Sequence, residues 1–202
     1  MKTETIGLGA LVGALLVVPM VAVMYFADNW LDFSFPPYDV FDWVARILPG
    51  PVITFGIDLM IDSLEMLGLN VAATAKTAER IQALLIFATT GVVASIIVYS
   101  VVGRRPARSG PGLGLLAGAV PGLPVAMISA SMSQVSTAPS IVFLWVLGVF
   151  CAWGLTTVAT ARRLLLPDPH LTTGGSSSKL EGNSVTVVGR RQFLIQLSLI
   201  HI

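Results

Sequence analysis

Charge is scarce in this chain. Only 11% of its 202 residues are Asp, Glu, Lys or Arg, where a soluble domain carries about 25%. With 54% hydrophobic residues and a mean hydropathy of +0.83, the bilayer is the expected solvent. Cysteine occurs once, as Cys151. That excludes an internal disulfide framework and any cysteine-based zinc site. Inside an apolar run and beside no cation, Cys151 reads as a small apolar residue rather than a redox thiol. The two histidines, His170 and His201, lie outside the apolar runs, so no helix offers an imidazole to a b-type haem. Phosphate-binding loops, nucleophile elbows and metal-binding histidine pairs are also missing.

Four long apolar runs are present: Ile6 to Phe26, Ala83 to Val102, Gly112 to Ile128 and Ile141 to Ala161. A membrane helix needs about 20 mostly apolar residues. The third run is the shortest, and none contains a charged residue. Intramembrane ionisable groups mark transporters and proton relays, so their lack argues against ion translocation. Hydroxyls inside the runs include those of Thr89, Thr90, Ser95, Thr156, Thr157 and Thr160. Hydroxyls so placed bond their own helix or a neighbour.

The few charges are placed unevenly. Arg104, Arg105 and Arg108 lie between runs two and three, and Arg162, Arg163 and Lys179 follow run four. The positive-inside rule puts both segments in the cytoplasm. An even number of spans then places the N-terminus, with Lys2, inside as well. The segment from residue 28 to 80, with eight acidic and three basic residues, falls outside. Basic residues flank membrane runs instead of forming a patch, which gives nucleic-acid binding no support.

The outer segment is aromatic-rich. Trp30, Phe33, Phe35, Tyr38, Phe41 and Trp43 suit the headgroup level. Val40, Val44, Ile47 and Leu48 recur at helical spacing until Pro49-Gly50-Pro51 breaks the element. A second amphipathic helix is expected from about Val52 to Leu67, stopped by Gly68 and Asn70. Its Asp58, Asp62 and Glu65 share one stripe. That stripe could take a divalent cation through oxygen ligands, but it is more simply the solvated face of the helix. From Val71 the chain favours helix and extends run two above the membrane.

Small residues mark packing faces. Gly110, Gly114, Gly118 and Gly122 repeat every four residues in run three, a spacing that lets another backbone approach closely. Gly9 and Gly13 in run one offer a complementary surface. Pro121 and Pro124 should kink run three. The expected fold class is therefore an all-α membrane protein. It has four transmembrane helices in residues 1–166, one or two extracytoplasmic amphipathic helices, and a disordered polar Gly/Ser linker at 167–188.

Residues 189–202 carry the most specific motif. Arg190 and Arg191 are followed by Gln192, Phe193 and Leu194. This resembles the twin-arginine export signal, Ser/Thr-Arg-Arg-x-Phe-Leu-Lys, with Gly189 and Ile195 departing from its ends. Such signals are read by a receptor and hand over folded proteins, so the resemblance implies the twin-arginine export machinery as a partner beside the lipid bilayer. Four spans, a polar linker and this motif together resemble the N-terminal membrane part of bacterial sulfite-oxidase-like, molybdopterin-dependent oxidoreductases. In that family an apolar stretch and an extracytoplasmic catalytic domain follow the arginines. The resemblance implies a cytoplasmic-membrane location, a molybdopterin cofactor in a domain beyond this chain, and a membrane or soluble electron carrier for the full-length protein. It assigns no catalytic, cofactor-binding or metal-binding residue here, and Cys151 does not take the role of the family's molybdenum ligand. The final "LSLIHI" is similar to the start of a translated sequencing adapter. Read so, native sequence ends at about Gln196 or Leu197 and the chain is truncated. The alternative is a complete small membrane protein serving as a structural or assembly subunit. A transporter is the third reading.

Overall fold

The computed structural model describes residues 3–66, 68, 71–106, 109–132 and 135–166. The polar linker and the residues of the arginine motif lie outside them. The described residues form six helices: α1 (Thr3–Leu31), α2 (Pro36–Ile47), α3 (Gly50–Met66), α4 (Val71–Arg104), α5 (Pro111–Met132) and α6 (Pro139–Leu165). Four of them, α1, α4, α5 and α6, are long and apolar enough to cross a membrane. The chain is a multi-pass membrane protein.

The helices run past the apolar stretches. Helix α4 has 34 residues, about 51 Å at 1.5 Å per residue, against a hydrocarbon core of about 30 Å. Its first turns, with Lys76, Glu79 and Arg80, extend beyond the apolar part. Helix α2 starts on Pro36 and Pro37, both buried. Proline costs nothing in the first turn, where the missing N–H has no intrahelical acceptor. Helix α3 ends where Gly68 takes a φ of +68° and donates its N–H to Glu65 O at 2.9 Å. Glycine adopts that left-handed conformation without a steric penalty. Helix α5 continues through Pro121 and Pro124 without interruption.

The bundle is assembled from two antiparallel pairs. Helix α1 lies along α4, and α5 lies along α6. The complementary surface of Gly9 and Gly13 therefore meets α4, not the glycine stripe of α5. A Cβ at Gly9 would stand 3.0 Å from Ile96 Cα, and one at Gly13 would stand 2.7 Å from Ser95 Cβ. The stripe on α5 meets α6 instead. A Cβ at Gly114 would lie 2.9 Å from Leu155 Cα, one at Gly118 would lie 2.6 Å from Cys151 Cα, and one at Gly122 would lie 2.6 Å from Phe150 Cβ. Gly154 of α6 answers them, with its own Cβ position 2.8 Å from Gly118 Cα. No hydrophobic gradient draws apolar helices together in lipid, so this close backbone contact supplies dispersion energy that longer side chains would block.

The two pairs join through α6. Toward the arginine-bearing end, Val98, Tyr99 and Val102 of α4 pack on Val158 and Ala161 of α6. The fully buried Tyr99 donates its hydroxyl to Thr160 Oγ1 at 3.1 Å. Toward the α2–α3 end, Met20 and Met24 of α1 pack with Phe35, Ala126, Val142, Val146 and Phe150.

Gly118→Ala should destabilise the protein by about 1–3 kcal/mol, because its methyl meets backbone rather than a movable side chain. Gly148→Ala, with nothing within 4 Å, should stay within about 0.5 kcal/mol of the parent. Unfolding in mixed detergent reads both, and equal stability of the two variants would contradict the packing account.

Candidate functional site

Two polar clusters and one apolar cleft gather at the α2–α3 end. The first cluster begins where α1 stops. Asp32 follows the helix with a φ of +54°, in the left-handed region that Asp tolerates better than most residues. The backbone N–H of Ser136 donates to Asp32 Oδ2 at 3.0 Å, and the Ser136 hydroxyl donates to the same oxygen. The Thr137 hydroxyl donates to the Asp32 carbonyl at 2.8 Å. The α1 terminus is thereby tied to the connection between α5 and α6. The two Ser136 donors hold the Asp32 carboxyl below the usual carboxylate range.

The second cluster seats α2. The Ser34 hydroxyl donates to Asp39 Oδ2 across the first turn. Burial pushes the Asp39 carboxyl up, and the nearby Asp42 and Asp28 add to the rise. The Ser34 and Ser129 hydroxyls oppose it. Ser129 Oγ is fully enclosed and completes no hydrogen bond of acceptable geometry. Rings close the surroundings: Phe35 meets Tyr38 edge-on at 4.7 Å, and Phe33 meets Trp145 at 5.3 Å.

The cleft measures about 960 Å³. It runs from the bundle interior, where Val17, Ala94, Val125, Phe150 and Trp153 line it, to the apolar faces of α2 and α3. A smaller polar annex of about 210 Å³ is walled by Tyr38, Phe41, Asp42, Lys76, Glu79, Arg80 and Ala83. Phe41, Lys76, Glu79 and Ala83 belong to both walls. Lys76 pairs with Glu79 at 3.0 Å, and the Arg80 guanidinium lies 5.8 Å from the centre of the Tyr38 ring.

The residues singled out in the sequence fall in different places. Gly9 and Gly13 form the α1–α4 contact, and Gly114, Gly118 and Gly122 form the α5–α6 contact. Arg190, Arg191, Phe193 and Leu194 lie outside the described residues. Asp58, Asp62 and Glu65 are all exposed on α3. Among the described residues no three His, Cys, Asp or Glu side chains converge on a metal-sized space. Thr89 and Thr90 bond the carbonyls of Leu85 and Ile86 at 2.7 and 2.8 Å. Thr157 bonds Trp153 O at 2.7 Å, and Thr156 and Thr160 likewise bond carbonyls of α6. Ser95 Oγ is buried without a partner against Gly13.

Sequence reasoning missed the Asp32 tie and the cleft. The tie had one local signal, an Asp between the end of an apolar run and a Pro-Pro helix start. The cleft had none, because six helices contribute to it. The chain matches no protein-family model, no curated protein and no solved structure in the comparisons made.

The two carboxyls give opposite pH dependences. Asp39 has a raised folded value, so the native state binds its proton more tightly than the unfolded chain does. Its contribution is fully present below the ordinary carboxylate value and is lost as pH rises through the raised one. Asp32 has a lowered folded value. Its contribution is present above the ordinary value and is lost as pH falls through the lowered one. Asp39→Asn should therefore gain stability over the parent at neutral pH, and Asp32→Asn should lose it. Thermal unfolding from pH 3 to 8 checks this, and matching pH profiles for the two variants would contradict it.

Proposed function

We propose that this chain is the membrane anchor and export-targeting portion of a larger sulfite-oxidase-like, molybdopterin-dependent oxidoreductase. One observation carries the reading. Four spans return the chain to its starting side, and Arg162 and Arg163 close α6 at the same end of the bundle as Arg104 and Arg105 close α4. By the positive-inside rule that end is cytoplasmic. A signal at Arg190-Arg191-Gln192-Phe193-Leu194, following a span that ends on that side, would be read there by a twin-arginine receptor. Helices α2 and α3 then face the compartment into which the catalytic domain is delivered.

The described residues do not fit a molybdenum cofactor. Cys151 lies in the middle of α6 with its backbone packed against Gly118, a contact too close to admit a pterin between the two helices. In this proposal the four spans contribute anchoring and orientation, and the cofactor belongs to the domain that follows.

Reading the gene past codon 196 tests the proposal. It predicts about 15 further apolar residues and then a soluble domain that binds molybdopterin. In that full-length protein, replacing Arg190 and Arg191 together by lysine should leave the domain in the cytoplasm, as judged by protease accessibility in spheroplasts. An authentic stop codon after residue 202 would overturn the proposal in favour of a small structural or assembly subunit.

A further inference from the structure

We propose that the cleft and its polar annex form one binding site for a zwitterionic phospholipid carrying a primary ammonium. The lipid comes from the leaflet on the α2–α3 side. An acyl chain occupies the cleft, the phosphate is held by Arg80, and the ammonium is held by Asp42.

Shape points to an amphiphile. The cleft, about 960 Å³, lies within the range of about 300–1,000 Å³ typical of ligand sites. Its walls are mainly apolar, so water gains little there, whereas hydrocarbon makes dispersion contacts along the lining. The annex adds a compact charged end that shares Phe41, Lys76, Glu79 and Ala83 with the cleft. One chamber for a tail opens onto one for a headgroup.

Depth agrees with a single leaflet. Ala83, Phe87, Gly91 and Ala94 line the cleft along one face of α4. From Ala83 to Ala94 is about 16 Å of helix, close to half of a hydrocarbon core of about 30 Å. Arg80 lies one turn beyond Ala83, about 4.5 Å further along the axis. That is the headgroup level, where Tyr38 also sits.

Charge selects the headgroup. Lys76, Arg80, Asp42 and Glu79 wall the annex, two cations and two carboxylates. With Lys76 and Glu79 paired, an anionic headgroup on Arg80 would leave Asp42 without a counter-charge. A headgroup with both signs meets both. Lys76 is already paired with Glu79, whereas Arg80 stands over a ring face with guanidinium N–H groups suited to two phosphate oxygens. A primary ammonium offers hydrogen-bond donors that Asp42 accepts; a quaternary one does not.

The test uses the full chain purified in a detergent that native mass spectrometry tolerates. It is titrated separately with phosphatidylethanolamine, phosphatidylcholine, phosphatidylglycerol and a neutral isoprenoid quinone. Phosphatidylethanolamine should bind in a one-to-one complex and raise the thermal midpoint more than the others do. Arg80→Gln should weaken it about tenfold or more, the loss of a charge-assisted phosphate contact. Ala94→Leu, which fills the depth of the cleft, should weaken it while leaving Arg80 in place. If Ala94→Leu fails to fold, Arg80→Gln decides alone, because Arg80 is exposed and outside the bundle core. Equal or tighter binding of phosphatidylcholine, phosphatidylglycerol or quinone, or unchanged phosphatidylethanolamine binding in Arg80→Gln, would overturn the proposal.

Discussion

The structure depends on how closely α5 and α6 approach. Gly114, Gly118 and Gly122 present a face without side chains, and Gly154 lets the partner backbone settle into it. In water such a contact would add little to a large hydrophobic term. In lipid that term is absent between helices, and tight packing is the main attraction that remains. The α5–α6 pair is therefore the platform on which the other elements are placed. On α6, Val142, Val146, Phe150 and Trp153 form a cluster with Met20 and Met24 of α1, while α2 packs on α5.

The α1–α4 pair uses the same device at fewer positions, Gly9 and Gly13. It meets the platform at two levels: the Tyr99–Thr160 bond toward the arginine end, and the methionine-rich cluster toward the other. The Asp32 tie to Ser136 and Thr137 then joins the two pairs outside the apolar core. Between these fixed points the pairs do not close completely. The remaining gap is the cleft, and α2 and α3 form its outer boundary. The space is thus a consequence of pairing that is tight within each hairpin and looser between them.

Much of this architecture was legible in the sequence, and the reason is physical. Apolar length and charge scarcity are properties of a single segment, so all four spans could be read before any contact was known. Helix ends were less legible: the first apolar run starts at Ile6 and stops at Phe26, but α1 covers Thr3–Leu31. Hydrogen-bonded turns continue into water where hydropathy has already changed sign. The glycine faces were visible too, but their partners were not. A stripe of small residues fits any other smooth face, so Gly9 and Gly13 were as compatible with α5 as with α4. The Asp32 tie spans 104 positions and the cleft spans six helices. The position of Asp32 before a Pro-Pro helix start hints at a cap but not at its partners, and the cleft has no local pattern to read.

Pairing is the claim on which the platform, the tie and the cleft all rest, and disulfide trapping in native membranes measures it directly. At the arginine end, a Cβ at Gly103 would lie 3.7 Å from Thr5 Cγ2, within the reach of a disulfide. In a Cys151→Ala background, Thr5→Cys with Gly103→Cys should oxidise readily to an intramolecular bridge, while Thr5→Cys with Pro111→Cys should not. Efficient bridging of the second pair and none of the first would mean that α1 lies against α5, and the account would be wrong.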